Sequence, residues 1–145
     1  FLPEKEFILY SGFCPIHHGI TTEEVSAAKL AHPDALVTVH PECEPAVSAM
    51  ADFVGSTSQM IDFCVKSDKK EFIVGTEIGV VERLSYYNPD KKNQLLAPHT
   101  VCSDMKKTTL KSVLAALRGE VDEVTLTKEQ IEAAKLPLER MMQIK

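Results

Sequence analysis

The sequence has only four cysteines, Cys14, Cys43, Cys64 and Cys102, and no Cys-x-x-Cys pair. That is too sparse for a disulfide scaffold and leaves thiols or metal ligands in a reducing compartment. A basic excess is also missing. The net charge is −5, which argues against a dedicated nucleic-acid surface and fits a solvated acidic exterior. No apolar stretch approaches the roughly 20 residues needed to span a bilayer. No signal peptide is visible at the start, and the chain opens on Phe1 without an initiator Met. Cytoplasm is the expected compartment, with neither membrane nor nucleic acid as partner. What remains is 145 residues with 44% apolar content, enough for one domain with a sizeable core.

Strand and helix signals alternate along the chain. Short apolar strands are expected at Glu6–Tyr10, Ala35–Val39, Glu71–Val74, Gln94–Ala97 and Val121–Leu126. A helix capped by Thr21 or Thr22 runs to about Ala31, with Glu23 and Glu24 in its first turn. Pro45 suits a helix start. Further helices are expected over Gln59–Lys66, Ile78–Tyr87, Thr108–Leu117 and Lys128–Ile144, the last with a bend at Pro137. This alternation predicts βαβ units around a parallel sheet, an α/β fold.

One internal repeat stands out. Cys14, Thr21–Thr22, a helix and Val37-Thr38-Val39 recur as Cys102, Thr108–Thr109, a helix and Val124-Thr125-Leu126. The pattern reads either as a duplicated unit with equivalent cysteines or as chance likeness of two βα segments.

Ligands of open parallel sheets bind beyond the C-terminal strand ends. The chemistry-bearing residues cluster there: Cys14, His17 and His18; His40, Glu42 and Cys43; Ser56 and Thr57; Thr76 and Glu77; His99 and Cys102. Cys14 and Cys102 offer thiolates for a soft metal or an iron–sulfur cluster, or are ordinary buried thiols. Zinc on Cys14, His17, His40 and Cys43 is a rival arrangement, though its spacing is not that of a usual zinc module. His40 and Glu42 suit substrate orientation and proton transfer, or alternatively a plain helix-capping turn. Ser56 and Thr57 precede a helix and suit carboxylate or phosphate, or simply cap it. Two non-catalytic readings stay open: a small-anion-binding module and a zinc-binding α/β module.

Gly12-Phe13-Cys14 with His17, then His40-Pro41-Glu42-Cys43, Gly55-Ser56-Thr57, Gly75-Thr76-Glu77, and Cys102 with Met105-Lys106 and Thr109-Leu110 resembles quinolinate synthase. Leu138-Glu139-Arg140-Met141 looks like that family's final helix. The resemblance implies three α/β modules about a pseudo-threefold axis, each giving one cysteine to a [4Fe–4S] cluster. This chain would hold one and a half units of three-layer αβα architecture with a short parallel sheet. Residues 1–19 would end the middle module, 20–107 form the last, and 108–145 a closing βα unit. Cys14 and Cys102 would be two cluster ligands, the third lying outside this chain. His40 would hold substrate, Glu42 would act in acid–base steps, Ser56 and Thr57 would bind substrate oxygens, and His17 would neighbour the site. The implied reaction condenses iminoaspartate with dihydroxyacetone phosphate. An L-aspartate oxidase or dehydrogenase would supply the first substrate. On this reading the chain alone is inactive and exposes apolar surface through which it self-associates.

Overall fold

The computed structural model describes Glu4 and residues 6–144, which fall into two compact units divided between Ser103 and Asp104. The first unit is built on continuous β-branched and apolar runs. These form β1 (Leu36–Val39), β2 (Phe53–Val54), β3 (Glu71–Gly75) and β4 (Lys92–Leu95). All pairings are parallel, and the strand order is β2-β1-β3-β4. The fold class is α/β, as the alternating pattern predicts.

Period-two alternation divides the core into two clusters. Val37, Val39 and Ile73 point to one face, with Val25 from α2 (Thr22–Ala31) and Val47 from α3 (Pro45–Ser48). Phe72 and Val74 point to the other, with Met60 and Cys64 from α4 (Thr57–Lys66) and Leu84 from α5 (Ile78–Tyr87). Helices therefore cover both faces, giving three layers. The helix starts follow local chemistry. Thr21 and Ser56 each close a capping box, with Glu24 and Gln59. At the end of α4, Lys91 Nζ donates to the carbonyls of Cys64, Val65 and Ser67 at 2.7, 2.9 and 2.6 Å. It neutralises carbonyls that the helix itself cannot pair.

The strand order places a topological switch point between β1 and β3, because the chain leaves β1 towards β2 and returns on the other side to β3. Gly75 ends β3 at this point under close packing. A Cβ there would meet Leu96 Cδ2 and Val39 Cγ1 at 2.9 Å each.

Several expected elements differ. Residues 6–10 form no strand, and Ile8 and Tyr10 are almost fully exposed. Residues 121–126 likewise form no strand, and Val124 is exposed. An apolar run becomes a strand only with a ladder partner and a covered face, and neither run has both. The fourth strand begins two residues before the expected Gln94, because Lys92 pairs in register with Glu71, and their side chains meet at 2.7 Å. A one-turn helix, α1 (Pro15–His18), is additional.

The second unit carries a short 3₁₀ turn at Met105–Lys107, then α6 (Leu110–Leu117) and α7 (Lys128–Met142). Thr109 and Thr127 cap these helices, and α7 runs on through Pro137. The repeat is thus partial: its Thr-capped helix recurs, its second strand does not. Neither α6 nor α7 has a buried residue. Among the described residues no helix is long and apolar enough to cross a membrane.

Candidate functional site

Three chain segments meet at the switch point. The first is α1. Cys14 is its N-cap and Pro15 occupies the first turn, where the missing N–H costs nothing. His18 N donates to Cys14 O at 3.0 Å, so Cys14-Pro15-Ile16-His17 is a single helical turn. The chain is then pinned by Ile20, buried in the first core cluster. This geometry carries His17 inward, where it is buried.

The second segment follows β1. His40 N extends the ladder by one bond to Gly75 O at 3.2 Å, and Cys43 N closes a turn onto His40 O at 3.0 Å. Pro41 is in that turn and the buried Cys43 anchors it. Within it, Glu42 N donates to His40 Nδ1 at 3.3 Å. His40 Nδ1 is therefore an acceptor, and the ring proton sits on Nε2. Burial holds the His40 imidazole below its usual range. Repulsion from His17 adds to this, against the pull of Glu42. His40 is a neutral ring.

The third segment follows β3. Thr76 is fully buried and Glu77 nearly so. His17 bridges the other two segments. Its Nε2 lies 2.9 Å from Thr76 Oγ1 and its Nδ1 lies 3.1 Å from Glu42 Oε2. Its ring stacks on His40, with centroids 4.0 Å apart and planes 14° apart. Hydroxyl, imidazole and carboxylate are joined in the order of a hydrolase relay. Here, however, the hydroxyl end is sealed from solvent and the Glu42 side chain is 47% exposed. The solvent-accessible end of this relay is therefore the carboxylate, held by His17, which Thr76 holds in turn.

Cys14, His17 and Glu42 are a group whose donor atoms lie within 4.8 Å of one another. Cys14 is half-buried and Cys43 fully so, and both are free thiols. Burial pushes the Cys43 thiol up to about 11, so it is a poor thiolate donor. The close group thus contains Glu42 where the rival zinc set had His40 and Cys43.

Cys102 is held further along the same rim. Its N–H donates to Glu77 Oε1 at 3.3 Å, and Glu77 Oε2 accepts from Gly79 N at 2.7 Å at the start of α5. Ile78 N donates to Thr100 O at 3.0 Å, which folds this loop onto the helix end. Cys102 is half-buried and free. Ser56 and Thr57 follow β2, next to β1, and Gly55 N bonds Val39 O at 3.2 Å. The Ser56 hydroxyl is engaged in capping Gln59 N, at 3.5 Å. Two histidines of the rim turn elsewhere: His18 pairs with Glu44 at 2.8 Å and His99 with Glu24 at 3.3 Å.

Sequence reasoning grouped Cys14, His17, His40 and Glu42 on one rim but gave Thr76 no task. The available signals were its position directly after the buried β3 and the one-turn Cys-Pro-x-His spacing.

Comparison with known proteins bears on the family. The family model of quinolinate synthetase A protein matches residues 1–143. A quinolinate synthase of Caldicellulosiruptor bescii is 50% identical over 143 residues, covering 99% of this chain and 47% of that protein. Those of Alkaliphilus metalliredigens and Aquifex aeolicus are 45% and 44% identical, again over 99% of this chain, covering 48% and 46% of their own lengths. The chain spans about half the length of the curated relatives it matches. A match running from the first residue almost to the last, through every segment of the rim, leaves one conclusion: the chain belongs to the quinolinate synthetase A family.

Proposed function

We propose that this chain is the part of a quinolinate synthase that carries two cluster cysteines and the substrate-facing His40–Glu42 turn. The complete enzyme condenses iminoaspartate with dihydroxyacetone phosphate, releasing phosphate and two waters, to give quinolinate for NAD biosynthesis. The observation that carries this reading is the Thr76–His17–Glu42 relay at the switch point, its carboxylate end open beside the half-buried Cys14.

The geometry supports the following roles. Glu42 is the acid–base group. It is solvent-facing, and His17 fixes its position through the 3.1 Å contact at Nδ1. His40, neutral with its proton on Nε2, donates one hydrogen bond to a substrate oxygen. Ser56 and Thr57 contribute the positive N-terminal end of α4 to a bound carboxylate or phosphate, since the Ser56 hydroxyl is already committed. Cys14 and Cys102 match a [4Fe–4S] cluster in kind, as half-buried free thiols, but not in number. A third ligand has to come from outside these 145 residues. When bound there, the cluster would supply Lewis acidity for dehydration. An L-aspartate oxidase or dehydrogenase provides the iminoaspartate.

The test uses both the chain and a full-length relative carrying the same substitutions. Anaerobic reconstitution of the chain with iron and sulfide, followed by iron counting and electron paramagnetic resonance, is expected to give no stable four-iron cluster and no quinolinate. In the full-length enzyme Glu42→Gln is expected to lower kcat by about 10²–10⁴-fold, the usual worth of a positioned acid–base group. A stoichiometric four-iron cluster on the chain alone overturns the incompleteness argument. Unchanged kcat in Glu42→Gln overturns the role of the carboxylate.

A further inference from the structure

We propose that Cys14, His17 and Glu42 form a site for a single divalent transition-metal ion of the zinc class, which the chain fills when no cluster occupies Cys14. Their donor atoms lie within 4.8 Å of one another, so one ion can reach all three. The three donors are one sulfur, one nitrogen and one oxygen. That mixture suits zinc, whereas magnesium and calcium require oxygen donors.

Two features indicate preorganisation. Cys14 and His17 sit three residues apart on one helical turn, so the pair is fixed before any ion arrives. The nitrogen of His17 that faces Glu42 is Nδ1, while Nε2 is held by the buried Thr76 hydroxyl at 2.9 Å. A metal-bound imidazole commonly donates its other ring N–H to an oxygen behind it. Thr76 is that oxygen. A hydroxyl can donate or accept, so it serves both states of the ring. Without metal, Nδ1–H donates to Glu42 and the Thr76 hydroxyl donates to Nε2. With metal, the ring proton sits on Nε2 and is accepted by Thr76 Oγ1, leaving the Nδ1 lone pair for the ion. Cys14 loses its thiol proton to solvent, and the oxidation states do not change. Three protein ligands leave a fourth position open to water, on the side where Glu42 is exposed.

The site shares Cys14 with the cluster reading, so the two occupants exclude each other. The zinc site needs neither iron nor substrate. Its failure would leave the cluster reading intact, and a failed reconstitution would leave the zinc site intact.

The experiment is cobalt(II) titration of the 145-residue chain under reducing, iron-free conditions, with zinc displacement afterwards. One cobalt per chain is expected, with a thiolate-to-cobalt charge-transfer band that zinc abolishes. Cys14→Ser should remove that band. Glu42→Gln and His17→Gln should each weaken binding, and Thr76→Val should weaken it by about 10–100-fold, as loss of a supporting hydrogen bond does. Cys102→Ser and Cys43→Ser should retain the band. Zinc X-ray absorption of the unmutated chain, which needs no variant to fold, should give one sulfur and three nitrogen or oxygen neighbours. A band that survives Cys14→Ser, a shell of two or more sulfurs or of none, or absence of saturable binding overturns the proposal.

Discussion

Thr76→Val removes one hydroxyl and almost nothing else, which makes it the sharpest probe of the His17 bridge. Valine matches threonine in shape, and Thr76 is fully buried, so no cavity or clash accompanies the change. The loss is the 2.9 Å bond to His17 Nε2. That nitrogen cannot turn to water, because His17 is 8% exposed and its ring is clamped by His40 stacking. Stranding a buried polar atom costs about 1–3 kcal/mol, and the sealed position argues for about 2 kcal/mol. In a domain of about 100 residues this lowers the melting temperature by roughly 8–16 °C. Calorimetry and urea unfolding of the two proteins measure it. Nitrogen-15 NMR of the imidazole provides a second reading: the His17 Nε2 resonance should shift as its hydrogen bond is lost, while the His40 resonances hold. A stability loss below about 0.5 kcal/mol with an unchanged His17 spectrum would refute the bridge as the element that organises the site.

Four further outcomes are expected. Lys91→Met should cost about 2 kcal/mol in urea unfolding, since it deprives three carbonyls at the end of α4 of a charged donor, whereas Lys66→Met, on an exposed ion pair with Asp62, should cost under about 0.5 kcal/mol. In native alkylation followed by mass spectrometry, Cys14 and Cys102 should react in mildly alkaline buffer, while Cys43 and Cys64, raised by burial from 9.0 to about 11, stay protected. Because the fold favours the neutral thiol, the associated stability is intact below 9.0 and declines as pH rises from there towards about 11, a fall that stability curves should register. Sedimentation at rising concentration should reveal self-association through apolar residues such as Leu110 and Leu117, which are 91% and 81% exposed; a monodisperse monomer throughout would count against it.

The legible parts of the fold were those whose signal is local and dense. Val37-Thr38-Val39 and Phe72-Ile73-Val74 read as buried strands because both faces of a parallel sheet are covered. Thr21 and Ile78–Tyr87 were legible from caps and stops. Phe7-Ile8-Leu9-Tyr10 has the composition of a strand but forms none, because strand formation depends on a distant ladder partner. The edge strand Lys92–Leu95 was displaced for the opposite reason. Its polar residues look like loop, and its register comes from Glu71 across the ladder. The site divides the same way. His40, Glu42, Cys14 and His17 announced themselves as residue types at strand ends. The Thr76 contact spans 59 positions and exists only once β3 lies beside β1.

The bare helices of the second unit have a thermodynamic corollary. The heat-capacity increment of unfolding arises mainly from apolar surface that passes from a dry interior into water. Since α6 and α7 have no buried residue, their melting exposes little that is not already wet. The calorimetric increment of this chain should therefore fall short of the roughly 12–15 cal/mol/K per residue of globular domains when divided over all 145 residues. It should approach that value when divided over the residues up to Ser103 alone.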